Sequence, residues 1–252
     1  MIDVVLLGTG NVATHIYTAM SALDEVTIIQ VYGRNEEALL PFDKTGETTT
    51  SLSRLKKADL YIVAITDDAI ADFSDSLLFN DRLVVHTSGS VSMDSLSTRK
   101  RRGVFYQLQT FSRELDIDFT GIPICIEAEN REDLELLRSL GKALTGNVSE
   151  ITSEQRGTLH LAAVFVNNFV NYLYRVGDDI LTKQSLPFDL LKPLIFETAR
   201  KIEQLSPEEA QTGPAKRHDQ KTIGNHLHLL DGSPYKELYT ALTEAIGKTY
   251  GK

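Results

Sequence analysis

The sequence predicts an α/β amino-terminal half built on a parallel sheet, followed by an all-α carboxyl-terminal half. Three observations carry this expectation. Short apolar runs alternate with helical patterns up to residue 150, the signature of repeated strand–helix–strand units. Most of those runs are apolar at consecutive positions, as in strands covered on both faces. After Ile151 strand-like runs stop and only helical patterns remain.

In chain order, the expected strands are Val4–Leu7, Thr27–Tyr32, Leu60–Ile65, Leu83–His86, Val104–Tyr106, Ile122–Glu127 and Asn147–Glu150. Helices fit between several of them, at Asn11–Leu23, Ala69–Leu78 and Arg131–Ala143. A helix of about thirty residues is then expected from Ser153 to a break at Gln184–Pro187, on the periodicity of its apolar positions. Further helices fit Phe188–Gln204, Asp219–Leu230 and Pro234–Thr249. Ser206-Pro-Glu-Glu209 places a Ser cap, a first-turn Pro and a Glu at the third position, so a short helix should begin there. The expected domains are 1–151 and 152–252.

Composition narrows the function classes. The 252 residues are 42% hydrophobic and 24% charged, with a formal net charge of −9, the balance of an ordinary globular protein. Neutralising nucleic-acid phosphates needs a basic surface, so nucleic acid is not expected as the partner. The basic run Arg99-Lys100-Arg101-Arg102 is expected to be a solvated turn before a strand. One cysteine, Cys125, permits no internal disulfide, which fits a reducing compartment. It lies in an apolar run, where a thiol behaves as a small buried hydrophobe. No run reaches the roughly 18–20 apolar residues of a membrane span, and residues 2–7 already read as a strand rather than a leader. A cytoplasmic protein is expected. With no His-x-x-x-His pair, no metal site is expected.

The opening Val4-Val-Leu-Leu-Gly8-Thr9-Gly10-Asn11-Val12-Ala13 is a G-x-G-x-x-A match, weak alone but strong in this context. It follows an apolar strand directly and opens an amphipathic helix, as in a Rossmann-type dinucleotide-binding domain. Gly8 permits the tight turn, Gly10 the approach of a pyrophosphate, and Ala13 close helix–strand packing. Backbone N–H groups from Thr9 to Val12 would hold the phosphates with the helix dipole.

The second strand decides between cofactors. NAD sites usually end it with an acidic residue on the ribose 2′-hydroxyl. Here it ends Tyr32-Gly33-Arg34-Asn35, with no carboxylate to repel a 2′-phosphate and a guanidinium to meet it. The expected cofactor is NADP, with Arg34 and Asn35 at the adenosine end.

Ligands of open α/β sheets lie beyond the carboxyl ends of strands. That places Thr66-Asp67-Asp68 along the cofactor, the carboxylates expected mainly as caps for the next helix. Thr87-Ser88-Gly89 lies at the same edge. Ser88 is a cofactor candidate and Thr87 a substrate candidate, with plain turn chemistry around Gly89 as the alternative.

These features resemble the 6-phosphogluconate dehydrogenase-like superfamily, which includes pyrroline-5-carboxylate reductases, ketopantoate reductases and β-hydroxyacid dehydrogenases. Within it the chain is most similar to uncharacterised bacterial proteins that carry an NADP oxidoreductase label and a C-terminal helical domain of unknown function. Gln107-Leu-Gln109-Thr-Phe-Ser112 and Thr212-Gly213-Pro214-Ala-Lys-Arg217-His-Asp219 support the narrower likeness. The resemblance implies hydride transfer between NADP and a small carbonyl or imine compound bound between the domains. One departure counts against two of these chemistries. β-Hydroxyacid dehydrogenases and ketopantoate reductases carry a lysine one turn before an asparagine on the first helix of the second domain. Here Ala163 and Val164 stand four residues before Asn167 and Asn168.

On that helix His160, Asn167, Asn171 and Asp178 form a polar stripe opposite an apolar face. The stripe is either simply solvated or faces the substrate. In the second case His160 serves as proton donor, and Asn167 and Asn168 orient the substrate. Gln107, Thr212, Gly213 and Arg217 complete the candidate substrate contacts, with Asp219 expected as a helix cap. The broad apolar arc from Leu159 to Val176 is expected to pair two chains as a homodimer. Two functions stay open: an NADP-dependent reductase, or a non-catalytic NADP-binding sensor or partner-binding protein.

Overall fold

A computed structural model describes residues 1–42 and 47–250. The chain divides into two compact units, 1–166 and 167–252.

The first unit is a Rossmann-like sheet with helices on both faces. Its elements are β1 (Ile2–Leu7), α1 (Asn11–Ser21), β2 (Val26–Tyr32), α2 (Glu36–Leu39), β3 (Glu47–Thr49), β4 (Leu60–Val63), α3 (Ile70–Ser76), β5 (Leu83–His86), β6 (Arg101–Gln107), β7 (Ile124–Ala128), α4 (Arg131–Leu144), β8 (Val148–Glu150) and α5 (Ser153–Ala163). Strand order is β3-β2-β1-β4-β5-β6-β7-β8. The order reverses at β1, which pairs with β2 on one side and β4 on the other. A crevice for a ligand opens at such a reversal.

The consecutive apolar runs are explained by burial on both faces. Val4 and Leu6 of β1 pack with Ile16 and Met20 of α1 and Leu137 and Leu140 of α4. Their neighbours Val5 and Leu7 pack on the other face with Ile70 of α3, Leu77 and Leu96. Each seven-strand expectation meets a strand, shifted by up to three residues at its ends. Two details differ from the sequence expectation. β3 is an additional edge strand, only three residues long and made of Glu-Thr-Thr, too short and polar to register as an apolar run. β7 runs antiparallel to β6, because a parallel return needs a long crossover, usually a helix. Between them there is only a loop and one short 3-10 turn.

The basic run is likewise not a solvated turn. Lys100 is 4% exposed, and its Nζ donates to the carbonyls of Leu77 and Phe79 and lies over the Phe79 ring. Burial holds its pKa below the usual lysine value. Arg101 and Arg102 open β6, where they pair with Asp133 and with Glu129 and Asp94. Cys125 is buried, and burial raises its thiol pKa.

α5 begins with a capping box of Thr152 and Gln155. It does not continue as one regular helix, as the periodicity predicts. Val164–Phe169 forms a π-helical turn that spans the boundary of the two units, and α6 (Val170–Thr182) follows. A π turn closes i→i+5 bonds, so the 3.6-residue register of the expected polar stripe is not preserved through Asn167 and Asn168.

In the second unit α6 is followed by α7 (Lys192–Lys201), α8 (Pro207–Ala210), α9 (Gln220–Leu229) and α10 (Lys236–Tyr250). α8 starts with the capping box of Ser206 and Glu209. Asp219 caps α9 by accepting from the Thr222 amide and hydroxyl. Buried apolar side chains are scarce among the described residues of this unit: Val176, Ala215 and Ile223. Phe169, Leu194, Phe196, Ile202 and Leu229 are instead 50–80% exposed. Among the described residues, no helix is long and apolar enough to cross a membrane.

Candidate functional site

Gly8 sits at φ +132°, in the region L side chains rarely adopt, and a Cβ there would run into the Ala64 carbonyl of the adjoining strand end. Only glycine makes this turn without strain. A Cβ on Gly10 would meet nothing within 4 Å, so open space lies over the turn where a pyrophosphate needs backbone access. Gly10 is the N-cap of α1, and its carbonyl accepts from the Thr14 amide and hydroxyl. Ala13 is fully buried and Val12 packs partly against the core. Asn11 donates its side-chain amide to the Phe111 carbonyl. The Thr9 methyl lies against Gly33, where a Cβ would come within 2.6 Å of it. Those groups fit a bound dinucleotide at this turn.

Arg34 is exposed at the end of β2, and among the described residues no carboxylate pairs with it. Asn35 caps α2 by accepting from the Glu37 amide.

At the carboxyl ends of β4 and β5 two loops are tied together. Asp67 accepts from the Ser90 hydroxyl at 2.5 Å. Neither Asp67 nor Asp68 caps the helix that follows: the turn at Asp67–Ala69 has Thr66 at its N-cap, and α3 has Ala69, both without a side-chain cap bond. Ser88 is buried and its oxygen accepts from the Ser90 and Val91 amides, which is turn chemistry. Thr87 is half-buried, and its amide donates to the Val63 carbonyl. His86, at the end of β5, is fully buried with Nδ1 accepting from the Ser88 amide. Burial first, and the Arg156 charge second, lower its pKa to about 4.

His160 lies in the first unit and is brought to this same edge. Its Nδ1 is 3.1 Å from the Tyr106 hydroxyl, and the two rings meet edge to face. A Cβ on Gly89 would sit 2.5 Å from His160 Nδ1 and 2.9 Å from Tyr106 Cζ. Glycine at 89 therefore lets the pair stand directly on the loop. The rotation of α5 that aims His160 is set one turn earlier. Arg156, 1% exposed, donates to Glu127 of β7 at 2.6 Å, to the Val91 carbonyl at 2.5 Å and to Ser153. Residues four apart share a helix face, so the anchor and His160 project together. Gln107 is buried beside this edge. Its amide nitrogen donates to the Phe105 carbonyl, while Oε1 has no partner among the described residues.

The remaining candidates belong to the second unit. Asn167 and Asn168 are exposed within the π turn. Gly213 is at φ +113°, and its carbonyl accepts from the Arg217 amide. The Thr212 carbonyl accepts from Gln211, and the Arg217 side chain is exposed. Among the described residues, no group of three or more His, Cys, Asp or Glu is placed to hold a metal ion.

A model of a domain of unknown function, DUF2520, matches residues 122–246. The crystal structure of a putative NADP oxidoreductase from Bacteroides fragilis is 40% identical and superposes with a TM-score of 0.89, covering 98% of this chain and 98% of that one. The chain belongs to that family. A protein from Thermotoga maritima shares the fold at 20% identity and a TM-score of 0.82, covering 99% of this chain and 100% of that one. A pyrroline-5-carboxylate reductase from Coxiella burnetii does so at 16% identity and 0.58, covering 99% and 97%. No curated protein matches the sequence.

Sequence reasoning on this family member missed Tyr106 and Arg156. Tyr106 reads as one more apolar strand residue, and only its contact with a helix 54 positions later marks it. Arg156 reads as a surface residue of an amphipathic helix, since nothing local indicates that Glu127 waits for it.

Proposed function

We propose that this chain is an NADP-dependent oxidoreductase that reduces a small carbonyl or imine compound. The observation that carries the reading is the phosphate turn: Gly8 at a φ that L side chains rarely adopt, open space above Gly10, and Arg34 with no carboxylate partner among the described residues. The 40% identity to a protein named for NADP oxidoreduction supports it. Bound NADPH supplies hydride. The amides of the turn and the start of α1 hold the phosphates, and Arg34 holds the 2′-phosphate by parallel charge-assisted bonds. The Tyr106 hydroxyl and His160 Nδ1 hold a proton between them, and this pair delivers it to the oxygen or nitrogen of the reduced bond. Thr87 and Gln107 are assigned to the substrate at the same edge. Asn167, Asn168, Thr212, Gly213 and Arg217, all in the second unit, remain the polar candidates of that unit.

We infer in addition that the chain works as a homodimer. The apolar side chains left exposed on the second unit exceed the scattered few of a monomer surface, and self-pairing is the commonest way of covering such a face.

The test is an NADPH-oxidation screen over keto acids and cyclic imines, run beside a binding titration. Binding with turnover of at least one compound is expected. Binding with no turnover overturns the reductase and leaves the non-catalytic NADP-binding protein, a reading favoured by Ala163 and Val164 where related dehydrogenases carry lysine.

A further inference from the structure

The loop after β6 returns to the phosphate turn. β5 and β4 stand between β6 and β1, three strand spacings or about 14 Å, and residues 108–118 bridge that distance. Three consecutive residues fasten the loop. The Phe111 carbonyl accepts from Asn11 Nδ2 at 3.0 Å. The Ser112 carbonyl lies 3.0 Å from His15 Nε2, which therefore carries the ring proton. Arg113 Nη2 donates to the Thr9 carbonyl at 2.7 Å. The Phe111 ring packs between His15, at 5.2 Å, and Phe119, at 6.1 Å. His15 and Phe119 are both buried. The approach of Arg113 to the turn is thus fixed by buried neighbours rather than by a free surface side chain.

Arg113 is exposed, and among the described residues no carboxylate pairs with it. A guanidinium has five N–H donors. The bond to Thr9 uses one and leaves the charge uncompensated. Thr9 is also the residue whose methyl lies against Gly33. Among the described residues, two arginines without carboxylate partners thus flank the turn in sequence and contact: Arg34 directly follows Gly33, which faces the Thr9 methyl, and Arg113 bonds to the Thr9 carbonyl. An NADP molecule carries negative charge in two places, its 2′-phosphate and its pyrophosphate, and this chain has a formal charge of −9. Amides and the helix dipole offer only partial charge to the pyrophosphate.

We propose that Arg113 is a specific contact for the dinucleotide pyrophosphate, held in place by the 108–118 loop as a strap on α1. The assignment rests on the dinucleotide reading of the Gly8–Ala13 turn. It divides the phosphates between two arginines. Arg34, at the end of β2, reads the 2′-phosphate, and Arg113, bonded to the backbone between the two glycines, reads the pyrophosphate. The strap makes the second contact independent of which cofactor is bound.

Titration of the full chain with NADP, NAD and 2′-AMP tests this. Arg113→Ala should weaken NADP and NAD by the same factor, about tenfold or more, as expected for one lost contact to a charged group. It should leave 2′-AMP binding unchanged, and Arg113→Lys should fall between. The melting temperature without ligand should stay within a degree or two, because a single exposed side chain is removed. A loss for NADP and 2′-AMP but not for NAD would move Arg113 to the 2′-phosphate and overturn the assignment. Unchanged binding of all three would make the strap purely structural. A wild-type chain that binds neither dinucleotide would remove the reading beneath the proposal, a failure separate from any behaviour of the variant.

Discussion

At single residues, the proposed chemistry gives sharp expectations. His160 and Tyr106 stand on Gly89 at the sheet edge. With a turned-over substrate, His160→Ala should lower turnover by roughly 10²-fold, the scale of a lost general acid. Tyr106→Phe should do the same, and cofactor affinity should hold in both. Unchanged turnover in both variants would show that the pair only packs. His86 gives a pH effect. Its folded pKa of about 4 lies below the ordinary value of 6.5, so the unfolded chain takes up a proton that the folded chain refuses. Stability is therefore full above pH 6.5 and falls between about 6.5 and 4, by up to about 3 kcal/mol. His86→Gln should flatten that part of a denaturant-derived stability curve, and an unaltered curve would contradict it. At this scale the sequence shows the turn glycines and Arg34 because their contacts are local. It hides Tyr106–His160 and Arg113–Thr9, which join positions 54 and 104 apart.

At the scale of elements, α5 is held by one buried ion pair. Among the described residues, Arg156→Met leaves Glu127 with only Ser153 to satisfy it, and breaking a buried pair from one side costs about 3 kcal/mol. Urea unfolding should show that loss together with a weaker His160 effect on turnover. A stability within half a kcal/mol of wild type would mean that α5 is set by packing alone. Elements were legible where physics is periodic: runs buried on both faces gave the strands, and Ser206 with Glu209 announced its short helix. The direction of β7 needed a different clue, the missing crossover between 107 and 124. The π turn at Val164–Phe169 left no trace in the pattern, because one inserted residue shifts the register without changing composition.

For the whole molecule, the exposed apolar face of the second unit leads to a mass of twice 28.0 kDa by light scattering at micromolar concentration. A monomer mass there would refute the dimer. The proposed preference of the first unit for NADP over NAD rests on Arg34, and calorimetric titration of both cofactors into wild type and Arg34→Glu decides it. Wild type should bind NADP more than tenfold tighter than NAD. The variant should lose more than tenfold for NADP and hold or gain for NAD, since the new carboxylate repels a 2′-phosphate and accepts from a 2′-hydroxyl. Equal loss for both cofactors, or loss for neither, would rule out Arg34 as the 2′-phosphate contact.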